Sequence, residues 1–168
     1  MMRDETDQLE LAKWTLERNL HWISAAEVKT AVIAAANTAM LAAMATTFGA
    51  VEPSDRTGWP MLFSVLSSVC LLAALVCSGM SVLPRTDGPA SSFVFFGRIV
   101  KRDPPDYSDA FRKASTDAFL QDMLDQTHRN AEIADTKFRW VRNAMWWSFL
   151  SILPWVLALG ALTSAARP

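Results

Sequence analysis

The chain has 168 residues, a length that suits one soluble domain, but 51% of them are hydrophobic and seven are Trp. Its 16 Lys/Arg and 17 Asp/Glu leave a net charge of −1, which says little about partners. Their placement excludes an ordinary soluble fold, because three long stretches carry no charge at all. These are 22 residues between Lys29 and Glu52, 28 between Arg56 and Arg85, and 24 between Arg142 and Arg167. Each exceeds the roughly 20 apolar residues that a helix needs to cross a bilayer.

Residues 1–29 read as an amphipathic helix, with Leu9, Leu16, Leu20 and Ile23 on one stripe and Thr6 as a candidate cap. Continued by threes and fours, the stripe passes through Glu27, Thr30, Ala34 and Asn37. One continuous helix is therefore expected to run into the first span, 30–51, with Glu27 on its packed face. In that span Ala31, Ala35, Ala39 and Ala43 form a ladder at four-residue spacing, which lets helix backbones approach closely in lipid. Asn37, in mid-span, is expected to hydrogen-bond to a neighbouring helix.

Residues 52–58, EPSDRTG, are an external turn. The second span, 59–83, opens on Trp59 and Pro60 and carries Cys70 and Cys77. Two helical turns hold those cysteines too far apart for a disulfide, so they read as small packing residues. Residues 84–143 begin with turn formers. The apolar phrase FVFFG, 93–97, is too short to cross and reads as a strand-like or re-entrant element closed by Asp103-Pro104-Pro105. A long helix follows, capped at Ser115 or Thr116. Leu120, Leu124, Thr127, Ala131, Ala134, Phe138 and Val141 form a heptad seam on it. It should continue into the third span, 144–166, with Trp146 and Trp147 at the interface and a kink at Pro154.

Lys and Arg number four in residues 1–29 and ten in 85–142, against Arg56 alone in the short loop and Arg167 alone in the tail. The positive-inside rule then makes the N-terminus and the 84–143 segment cytoplasmic. The expected fold is an all-α membrane protein: three transmembrane helices, cytoplasmic helical extensions of the first and third, and a short FFG-containing connection.

One phrase recurs. Ala-acid-x-Lys stands at 26–29, with Glu27 and Lys29, and at 134–137, with Asp135 and Lys137. Both precede an apolar run. Three readings stay open: snorkelling lysines with solvated acids, interhelical ion pairs, or the rim of a small-molecule pocket. His21 and His128 precede the two marks and suit interfacial or ligand contacts better than a metal. Catalytic motifs are absent, and no enzyme activity is expected. Trp14, Trp22, Phe93, Phe95, Phe96, Tyr107 and Trp140, with Arg98, Lys101 and Arg102, suit an interfacial belt or a site that stacks a base and holds a phosphate.

In order, HWISAAEVK (21–29), FFGRI (95–99), DYSDAF (106–111) and FLQDMLDQTHRNAEIADTKFRWVRNA (119–144) resemble the membrane-type Pycsar effector family, PycTM. The resemblance spans about 14–160. It implies an antiphage defence effector of the bacterial inner membrane, acting by abortive infection. Such an effector responds to cyclic CMP or cyclic UMP from a partner cyclase and disrupts the membrane, with no cofactor. Its partners would be the lipid bilayer, the nucleotide and further copies of the chain, not a nucleic acid polymer. Trp22, Glu27, Lys29, Phe96, Arg98, His128, Asp135 and Lys137 are the candidate ligand contacts. Ala31, Ala35, Ala39, Ala43, Leu120, Leu124, Ala131, Ala134 and Phe138 are the candidate helix-packing positions. The alternative is a constitutive membrane scaffold whose cytoplasmic helices bind a protein.

Overall fold

In the computed structural model, residues 5–165 are described, the Asp55 side chain aside. Their regular elements are helices: α1 Glu5–Ala50, a 3-10 turn Pro53–Asp55, α2 Trp59–Val82, α3 Phe96–Ile99, α4 Pro104–Lys113 and α5 Thr116–Ala165. Residue 166, where the third span was expected to end, and Arg167 lie outside the described residues. Helices α1, α2 and α5 are long and apolar enough to cross a membrane. The chain forms two units. One, the spanning unit, holds Ala26–Leu83 and the chain from Lys137 onward; the other holds the chain up to Ala25 and Pro84–Thr136.

In the spanning unit the large apolar side chains point outward. Val32, Val69, Val76, Phe149, Leu153 and Val156 are all exposed. The interior is small and polar. On α2 the buried stripe is Ser64, Ser67, Leu71, Ala74, Ser78 and Ser81, alternating by three and four, with both free cysteines beside it. On α1 it is Thr30, Asn37 and Met44, with Val51 just past the helix end, and on α5 it is Lys137, Ala144, Ser151 and Ala158, each seven apart. Seven-residue spacing keeps one face toward its neighbours over several turns. Small residues inside and bulky ones outside suit lipid, where packing and hydrogen bonds, not water exclusion, hold helices together. As expected, Asn37 ties two helices: its Nδ2 donates to Ser148 Oγ at 2.8 Å. Trp155 Nε1 adds a second tie to the Met40 carbonyl, at 2.9 Å. Helix α5 continues unbroken through Pro154.

At the end of this unit away from Lys137, Met44, Val51, Ala158 and Leu162 close the core. Arg56 turns back to donate Nε to the Val51 carbonyl at 2.7 Å and Nη2 to the Gly49 carbonyl at 3.2 Å. It thereby satisfies acceptors that the end of α1 leaves without helical partners. Gly58, at φ 66°, lets the chain turn into α2.

Two packing expectations are corrected. Ala31, Ala35 and Ala39 are exposed and Ala43 half-buried, so the alanine ladder is not the packed face of α1 within the chain. That face carries Ala26, Thr30 and Asn37, and one residue on is about 100° around a helix. On α5 up to Val141, the stretch of the expected seam, the buried residues are Asp122, Gln126, Ile133, Ala134, Lys137 and Val141. Of the expected seam, Ala134 and Val141 are therefore buried. Leu120, Thr127 and Phe138 are half-buried, while Leu124 and Ala131 face out. The packed stripe was misplaced because several of its members are polar. Helix α1 is also already formed at Glu5, so Thr6 does not cap it.

In the other unit Ser115 caps α5 by accepting from the Ala118 amide at 3.2 Å. FVFFG is not a strand. It is a loop that tightens into α3. The Pro104-Pro105 pair does not end an element; it opens α4, where proline in the first turn forfeits no helical hydrogen bond. Phe95 lies against both Gly88 and Gly97, and a Cβ at Gly97 would meet Phe95 Cε1 at 2.7 Å. Gly97→Ala should therefore cost about 1–3 kcal/mol through overpacking. Thermal unfolding in detergent would measure the loss.

Candidate functional site

Helix α2 ends at Val82, leaving its last carbonyls without helical donors. Lys137 supplies one donor. Its side chain is only 5% exposed, and its Nζ donates to the Ser81 carbonyl at 3.0 Å and to Glu27 Oε1 at 2.9 Å. A cation suits this place, since helix C-termini carry partial negative charge. Ser81 Oγ lies 3.1 Å from Thr30 Oγ1, and Thr30 donates to the Ala26 carbonyl at 2.8 Å. Ser81 Oγ also reaches the Lys137 carbonyl at 3.5 Å. One ammonium thus ties α1, α2 and α5 at a single point.

Burial within this cluster is uneven. Lys137 is enclosed, while the Glu27 side chain is 53% exposed. Glu27 was expected on the packed face; instead it stands at the margin, because Ala26 and Thr30 occupy that face. Lys29 lies on the open side with its Nζ 5.2 Å from the centroid of the Phe138 ring, a cation–π distance. The two recurring phrases therefore touch each other through Glu27–Lys137, and Lys29 reaches Phe138, the residue after the second phrase. Acid and lysine within one phrase do not share a face, because two residues turn a helix by about 200°.

The second polar node was not foreseen. Ser92 is fully buried. Its Oγ donates to Asp122 Oδ2 at 3.1 Å and accepts from Val94 N, Phe95 N and Gln126 Nε2 at 2.9–3.1 Å. The Phe93 amide also donates to Asp122 Oδ2, at 2.7 Å. Tyr107 OH donates to the Phe93 carbonyl at 2.9 Å. Around this backbone, Phe93, Phe111 and Phe119 pack ring to ring, and the Arg102 guanidinium lies 5.3 Å from the Phe93 ring centroid. Asp122 Oδ1 and Arg102 Nη1 are buried without a hydrogen-bond partner among the described residues. Asp122 and Gln126 are four apart on α5, and that spacing was the available signal.

The remaining expected contacts do not converge. Arg98 Nε is committed to the Pro89 carbonyl at 3.0 Å. Phe96 is exposed, with its ring 4.9 Å from that of Phe95. Trp22 and Asp135 are exposed. The His128 side chain is 80% exposed, with Nδ1 3.7 Å from Glu132. The hydrogen bond from Arg129 holds the Glu132 carboxyl below its usual range, and His128 adds to the effect.

Compared with protein families, the chain matches the one described as the Pycsar effector protein domain, PycTM, over residues 11–164. It belongs to the Pycsar effector family. It is therefore an antiphage defence effector and, with three helices able to span a bilayer, a membrane protein. Membership in that family also implies a cyclic nucleotide signal from a partner cyclase. Pycsar effectors are membrane effectors and not a known catalytic family. Comparisons with curated proteins and with solved structures give no match.

Proposed function

We propose that this Pycsar effector senses a cyclic pyrimidine mononucleotide, cyclic CMP or cyclic UMP, and then disrupts the bacterial inner membrane as an oligomer. The observation that carries this reading is the asymmetric latch. A buried ammonium joins three spanning helices, yet its carboxylate partner Glu27 is half open to solvent. An anion arriving from solution competes with Glu27, and a cyclic nucleotide phosphate has the required charge. Lys29 on the open side adds a second cation. The segments that carry most of the Lys and Arg favour the cytoplasm for this end of the bundle and for the N-terminus. There the latch meets a nucleotide made in the cell.

Exchange of Glu27 for phosphate loosens α1 from α2 and α5. The ligand acts by favouring that loosened arrangement over the closed one. Three helices do not enclose a wide pore, so disruption calls for several copies. The outward row of Ala31, Ala35 and Ala39 suits close helix contact between them. The test is dye release from liposomes holding the protein at densities that permit oligomers. Cyclic CMP or cyclic UMP should trigger release, and cyclic AMP should not. Silence with both pyrimidine nucleotides would refute the proposal.

A further inference from the structure

Helices α1 and α2 leave a groove of about 460 Å³ between them on the outside of the spanning unit. That volume lies within the roughly 300–1,000 Å³ of small-molecule sites. Its walls are apolar: Leu41, Met44 and Phe48 from α1, and Met61, Val65 and Leu72 from α2. On α2 it runs from Met61 to Leu72, about 16 Å at 1.5 Å per residue. This is close to half of a hydrocarbon core about 30 Å thick. A helix from a second copy crosses the whole core; an acyl chain occupies one leaflet.

The end of the groove carries a charge. The Arg56 guanidinium lies 5.2 Å from the centroid of the Phe48 ring, which lines the groove. Its hydrogen bonds go to two neutral carbonyls, and among the described residues no carboxylate pairs with it. Exposed Trp59, stacked on Phe63 at 5.9 Å, marks the same end as a membrane interface. We infer that this groove binds one anionic phospholipid, with an acyl chain along Phe48, Met44 and Leu41 and the headgroup at Arg56. The site lies at the opposite end of the unit from Lys137 and does not depend on nucleotide sensing.

The test uses delipidated full-length protein in detergent, titrated with phosphatidylglycerol or phosphatidylcholine of identical acyl chains and read by native mass spectrometry. One lipid should bind per chain, with phosphatidylglycerol held about fivefold more tightly, the size of one arginine's attraction for an anionic surface. Arg56→Gln should erase that preference. Because Arg56 also caps α1, Val65→Trp provides the second arm: an exposed side chain is enlarged into the groove, and both lipids should be lost. Equal binding of the two lipids by the native chain would overturn the inference, as would undiminished binding by Val65→Trp. An interchain disulfide formed by Val65→Cys in bilayers would also overturn it, by giving the groove to a second copy.

Discussion

Glu27→Ala should destabilise the spanning unit more than Lys137→Met, although the two side chains form one ion pair. Glu27 is half-exposed, so loss of Lys137 returns it to water at little cost. Methionine then fills the space of the lysine stem. What is lost is chiefly the hydrogen bond to the Ser81 carbonyl, about 1 kcal/mol. Loss of Glu27 is different, because the buried ammonium keeps only that carbonyl. Removing one partner of a buried pair costs about 3–5 kcal/mol. The solvent beside Glu27 and the surviving bond at Ser81 bring the expected loss to about 2–3 kcal/mol. Unfolding in micelles, monitored by circular dichroism, measures both variants. Equal losses, or a larger loss for Lys137→Met, would show that the Lys137 ammonium is not enclosed as described.

Asp122→Ala should cost about 3 kcal/mol and act locally. The substitution orphans the enclosed Ser92 hydroxyl and the partly buried Phe93 amide, and each buried group left unsatisfied costs about 1–3 kcal/mol. Amide exchange should quicken at Phe93, Val94 and Phe95, whose amides depend on Asp122 directly or through Ser92. The amides of α2 in the spanning unit, Leu62 to Val82, should keep their protection. Uniform acceleration across the chain would mean that Asp122 supports the global fold and not the FFG loop.

The spans were legible because lipid imposes a coarse rule. A run of more than 20 residues without a charge is rare in a water-soluble fold, and such runs mark the lipid-facing surface well. The packed faces were harder to see, since apolarity is a poor guide to the inside of a membrane bundle. Thr30, Asn37, Ser81 and Lys137 are buried there while Val32 and Leu153 are exposed. The stripe of α1, continued by threes and fours, did reach the buried Thr30 and Asn37, but small-residue spacing pointed to the exposed alanine ladder, and following apolar residues moved the stripe of α5 onto Leu124. The recurring acid-x-Lys phrase did point to a place where helices meet. Which member turns inward depends on helical phase, and that was read wrongly for Glu27. The Ser92–Asp122–Gln126 node joins residues about 30 apart, and nothing local in the FFG phrase predicts its partner.

The central claim is that Glu27 on Lys137 keeps the bundle closed until a nucleotide displaces it. The most direct measurement is the cyclic nucleotide concentration that gives half-maximal dye release from liposomes holding the native chain or Glu27→Gln. Glutamine keeps the shape and removes the competing charge. Glu27→Gln should leak at lower nucleotide concentration than the native chain, or with none. A half-maximal concentration unchanged or raised in Glu27→Gln would contradict the account.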